Sequence, residues 1–196
     1  MDEKMPAIID GFSQIEYLTV FNTILFGVIA SEYFSGWGGM VRHRDSIKRD
    51  WLHLAWSIFA FLTLIQNWFG IWPRIRFVNQ NILYFIWSLV PMFIFHLISV
   101  VMFPNQKYIE DTNFKLHFEK NAKMIYVLFA IYFLTTILGS FIYVDRGNVL
   151  VQNIIRTFGI LLSLTGAYYS HQKWIHVVFL VVGYLGLMQF ILFIPK

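Results

Sequence analysis

Cysteine is absent from this chain. That removes disulfides, thiolate nucleophiles and every zinc or iron–sulfur site built on sulfur. Charge is scarce as well: Asp, Glu, Lys and Arg make up 13% of the 196 residues, against roughly 25% in a soluble domain. No Walker A loop, Rossmann glycine pattern or zinc-protease helix occurs. No Asp falls inside an apolar stretch, so the paired aspartates of intramembrane proteases are missing. Loop residues such as His117 and Glu119 could take part in chemistry, yet nothing singles them out, and catalysis has little support. Met1 to Asp10 lacks the basic start of a signal peptide, carrying Asp2, Glu3 and Asp10 against Lys4. The first apolar stretch is therefore expected to be kept as a helix.

Apolar sequence fills the rest. Hydrophobic residues account for 58%, and they fall into stretches of the roughly 20 residues that a helix needs to cross a bilayer. Six spans are predicted: 15–37, closed by Gly36, Gly38 and Gly39; 51–72, stopped by Pro73; 82–103, with Pro91 inside and Pro104 after it; 124–144; 149–169; and 174–194, ended by Pro195. The longest polar connection, Pro104 to Ala122, is too short for a core of its own. An all-α bundle of six membrane helices in one integral membrane domain, 1–196, is expected. Trp37, Trp51, Trp68, Trp72 and Trp174 lie near predicted helix ends, where tryptophan favours the interface.

Formal charge is +4. In a membrane chain this reads as basic loops facing anionic lipid rather than nucleic-acid binding. Nine basic residues fall on one side: Arg42, Arg44, Lys48, Arg49, Lys107, Lys115, Lys120, Lys123 and Lys173. Five fall on the other: Lys4, Arg74, Arg76, Arg146 and Lys196. The richer side is expected in the cytoplasm, with both termini outside.

The ionisable and amide groups inside spans are the candidate functional residues, because such groups are costly in lipid. Arg156 lies roughly 10 Å into the fifth span at helical rise. Glu16 enters from the same side and is its expected partner, with Gln152 and Asn153 one turn away; a structural pair and an anion contact or pore-lining charge are both open. Glu32 is placed near the cytoplasmic end of the first span, as a salt bridge to the basic Arg42–Arg49 loop or as a proton- or cation-coupling carboxylate. Gln66 with Asn67, and Gln189, are expected to bond across helices or to line a hydrated vestibule. His53, His96 and His176 share a depth, so haem ligation is an alternative to packing or proton relay. His43, His117 and His171 are read as loop residues. No metal site is expected.

Trp51-Leu52-His53-Leu54 and Trp174-Ile175-His176-Val177 echo each other, with a Gln fifteen residues after each Trp. Phe26-Gly27 to Ser31 likewise matches Phe158-Gly159 to Ser163. A repeated parallel hairpin would account for both, and transporter repeats often place a site between units.

The run Phe26-Gly27 to Glu32-Tyr33, Arg42-His43-Arg44, Trp51-Leu52-His53 and Ile65-Gln66-Asn67-Trp68 resembles a group of small, uncharacterised polytopic bacterial inner-membrane proteins. The resemblance covers about the first half of the chain; where that group carries paired tryptophans, this chain has Trp68-Phe69. It implies a bacterial inner membrane and helical hairpins, and no activity, substrate or catalytic residue.

These features point to a small oligomeric channel or transporter-like protein, with copies meeting at small residues such as Gly27, Gly139, Gly159 and Gly183. The alternatives are a membrane subunit that docks a cytoplasmic partner through Arg42 to Asp50 and Lys107 to Lys123, and a haem electron carrier.

Overall fold

The computed structural model describes residues 8–9, 12–42, 50–71, 82–104, 113–142 and 149–192. Two extended pairs, β1 (Ile8–Ile9) and β2 (Phe12–Ser13), meet antiparallel, Ile8 opposite Ser13. Six helices follow: α1 (Gln14–Arg42), α2 (Trp51–Phe69), α3 (Ile82–Met102), α4 (Phe114–Ile142), α5 (Val149–Tyr168) and α6 (Lys173–Leu192). The first five are long and apolar enough to cross a membrane, and α6 is apolar over Lys173–Gln189. In lipid a helix satisfies its own backbone, which is why the apolar stretches among the described residues are helical. The protein is a polytopic helical membrane protein.

The helix α2 sits centrally and packs against α1, α3, α4 and α6, while α4 packs against α3 and, most closely, α5. The core centres on Trp56, fully buried in α2. Its indole stacks on Phe179 of α6 at 4.8 Å and meets Tyr126 and Phe129 of α4 edge-on at 5.0 and 5.7 Å. These positions fall five residues after Trp51 and Trp174, so the two helices with matching signatures do touch.

Two helices exceed the predicted spans. The first continues through Gly36, Gly38 and Gly39 to Arg42. Glycine is well tolerated in membrane helices, since breaking the ladder there leaves polar groups without water. Gly36 has a further use: a Cβ would overlap the Phe103 ring. The fourth begins at Phe114, well before the predicted Met124. Asn113 starts it, its side-chain oxygen accepting from the Leu116 N–H at 3.3 Å. Phe114 and Phe118, one turn apart, are buried and face His53 at 5.0 and 6.1 Å. His117 therefore lies in a helix and not in a loop.

The helix α1 stops near the level of the Trp51 end of α2. Trp37 donates from Nε1 to Ser57 Oγ at 2.9 Å, and Phe114 meets His53. With 29 residues against 19 in α2, α1 carries its excess, about 15 Å at helical rise, at the Gly70 end, whereas the Phe59–Phe129 contact leaves α4 only about three residues longer than α2 there and puts the rest of its excess at the Trp51 end.

Glycines expected between copies serve inside the bundle. A Cβ on Gly159 would press on Phe133, one on Gly183 would meet Phe59 at 2.5 Å, and Gly139 is buried. Gly27 alone of the four faces open space.

Candidate functional site

Ring contacts fix the register of α1 against α2. Phe26 meets Trp68 at 5.5 Å, Tyr33 meets Phe61 at 5.4 Å, and Trp37 bonds Ser57. Glu32, next to Tyr33, therefore lies level with the middle of α2, whose 19 residues run from 51 to 69. The expectation near the helix end is corrected. Because α1 continues to Arg42, that arginine is about 15 Å further along the helix by its rise. Glu32 is exposed on the outside of the bundle and makes no hydrogen bond or ion pair with any described residue. A carboxylate at mid-span costs several kcal/mol in hydrocarbon unless something neutralises it.

Arg156, half-buried on α5, donates to Asn153 Oδ1 at 3.0 Å and to Gln152 Oε1 at 3.1 Å. Asn153 in turn donates to Ser140 Oγ of α4 at 2.9 Å. The amides read one turn away in the sequence are thus its partners. Glu16 is exposed in the first turn of α1. The neighbours of α1 are α2 and α3, whereas α5 adjoins α4 and α6.

The histidines form a layer near the Trp51 end, and there they cap helix ends. A helix leaves its last carbonyls without partners. His53 Nε2 donates to the Met102 carbonyl at 2.9 Å, and His117 Nε2 to the Val101 carbonyl at 3.2 Å, both in the final turn of α3. His176 Nε2 donates to the Ser170 carbonyl at 2.9 Å, and its Nδ1 accepts from the Tyr126 hydroxyl at 3.0 Å. A carbonyl only accepts, so these bonds set the tautomers. Axial ligation of a haem by His176 would break one of its two bonds. His53 Nδ1 and His96 Nδ1 are buried without a partner. Among the described residues no three His, Asp or Glu side chains gather to hold a metal ion.

Beside this layer lies a cavity of ≈ 30 Å³ lined by Asp50, Trp51, Lys115, Glu119, Lys173 and His176, among others. It has room for about two waters. Lys115 and Glu119 pair along one turn of α4 at 3.9 Å, and Asp50 caps α2 by accepting from the His53 N–H at 3.2 Å. The Asp-Trp junction was a readable cap signal. A second cavity, ≈ 10 Å³, lies by Asn67, Trp87, Pro91, Thr135 and Thr136. Asn67 Nδ2 is buried there without a partner.

Gln66 is half-buried and Gln189 exposed. Arg42 is exposed in the last turn of α1; Arg44, Lys48 and Arg49 lie outside the described residues.

Comparison with protein-family models, curated proteins and solved structures finds no match to this chain.

Proposed function

We propose that the protein is a small oligomeric channel or transporter-like membrane protein that moves an ion or small solute, with the path formed between copies. The observation that carries this reading is the Glu32 carboxylate, level with the middle of a span and turned out of the bundle. The filled core around Trp56 supports it: the cavities beside it among the described residues, ≈ 10 and ≈ 30 Å³, hold water at most, which favours a path outside the single bundle. Glu32 is the coupling or path-lining carboxylate, the bacterial inner membrane is the setting, and the basic loops face the cytoplasm. Proteoliposomes with proton, potassium and chloride gradients test this. Flux with the native chain and its loss in Glu32→Gln is the expected result; gradients that persist under every voltage and pH applied overturn the reading.

A second reading is favoured by the helical start of α4, which holds Lys115, Lys120 and Lys123 exposed on a fixed surface. Such a surface suits a membrane subunit that docks an acidic cytoplasmic protein. Co-purification lost on charge reversal at those three lysines would support it.

A further inference from the structure

The Glu32 carboxylate needs a positive charge within side-chain reach of its own depth, and the fold places one there on another edge. Asn153 pairs with Ser140 and Gly159 faces Phe133, which sets Arg156 one residue or so beyond Thr135 and Thr136 of α4. The rings of Phe59 and Phe129 meet at 5.4 Å and tie α4 to α2. Through this register Arg156 is level with about Asn67 of α2 and Glu32 with about Leu62, a difference in depth of ~7.5 Å at helical rise, which their side chains together span. Among the described residues no other Lys or Arg lies as near to Glu32 in depth: Arg42, Lys115, Lys120, Lys123 and Lys173 all sit at the Trp51 end.

Glu32 is on α1 and Arg156 on α5, helices with no common neighbour among their main contacts. They are also the least covered spans, with 22% and 17% of their apolar windows buried. Around Glu32 the face holds Gly27, Ser31 and Ser35, all exposed, so a second helix can approach closely. The Arg156 guanidinium reaches the exposed Gln152, which brings its charge to the border of the outer face of α5.

We infer that the α1 face of one copy docks on the α5 face of the next, with Glu32 paired to Arg156 of the neighbouring copy. Two different patches meet, so the contact is head-to-tail; where the rotation closes, it makes a ring around an axis along the membrane normal. A symmetric contact of α1 with α1 would set Glu32 against Glu32, like charges in hydrocarbon, and is disfavoured. This inference rests on the oligomer that the proposed function requires, and its test reads no flux.

The chain has no cysteine, so single introduced thiols report without background. Differently tagged Ser31→Cys and Thr157→Cys copies are co-expressed and oxidised in membranes. A mixed Ser31→Cys/Thr157→Cys product exceeding either self-product is expected. Adding Glu32→Lys to the first copy should lower that product about tenfold or more, and Arg156→Glu in the other copy should restore it. Glu32→Gln, which adds no charge, should give an intermediate yield. Thermal melting of each variant confirms the fold; Glu32 has no partner in the bundle, so its variants should melt as the native chain does. Self-products of Ser31→Cys in place of the mixed product overturn the inference, as do the absence of any product and an unchanged yield with Glu32→Lys. Absence of flux from the native chain with the mixed product intact would count against the transport reading alone.

Discussion

Tyr126 shows how a single hydroxyl can organise this interior. It gives His176 Nδ1 its partner while Nε2 is occupied by Ser170, and the two rings lie nearly parallel at 5.3 Å. Tyr126→Phe leaves a buried acceptor without a donor, at a cost of about 1–3 kcal/mol. A lower melting temperature in detergent is expected, and an unchanged melt would show that the bond adds nothing. The depth shared by His53 and His176 was legible from the sequence. Their role was not, because the carbonyls they receive belong to Met102, across the bundle, and to Ser170, in a turn. Neither partner carries a sequence signal of its own. The same holds for Glu32: its position was plain, but its depth depends on where α1 ends, and three glycines there read as a stop.

Elements meet through glycine on the α4–α5 seam. A Cβ on Gly166 would overlap the Tyr126 ring, whereas one on Gly186 of α6 meets nothing within 4 Å. Gly166→Ala should therefore cost about 1–3 kcal/mol through overpacking, while Gly186→Ala should be neutral or gain up to about 1 kcal/mol of helix propensity. Denaturation in mixed detergent, followed by circular dichroism, separates the two; equal effects would mean that the seam yields freely. The existence and order of the helices were readable from hydropathy, and the stops at Pro73 and Pro104 were close. Errors gathered where polar sequence is helical. Phe114 and Phe118 read as part of a loop because Lys115, His117, Glu119 and Lys120 surround them. One face of that turn packs under His53, and only the fold reveals which.

The whole molecule has two unlike ends. Asp50, Glu119, Ser170 and Lys173 line one cavity, so the α1–α2, α3–α4 and α5–α6 connections open at the same end. Asn113→Cys and Gln172→Cys should thus behave alike toward a membrane-impermeant maleimide: both shielded in intact cells, and both labelled once the membrane is permeabilised. Labelling of either in intact cells would reverse the orientation expected from the basic loops. At the opposite end the extra turns of α1 stand past α2 with Tyr17 and other apolar side chains outward. Lipid around this protein therefore meets walls of unequal height. A leaflet thick enough to wet the tall helix submerges the end of its shorter neighbour, and a thin leaflet strands apolar rings in water. Acyl-chain length thereby becomes a variable that acts on this bundle directly.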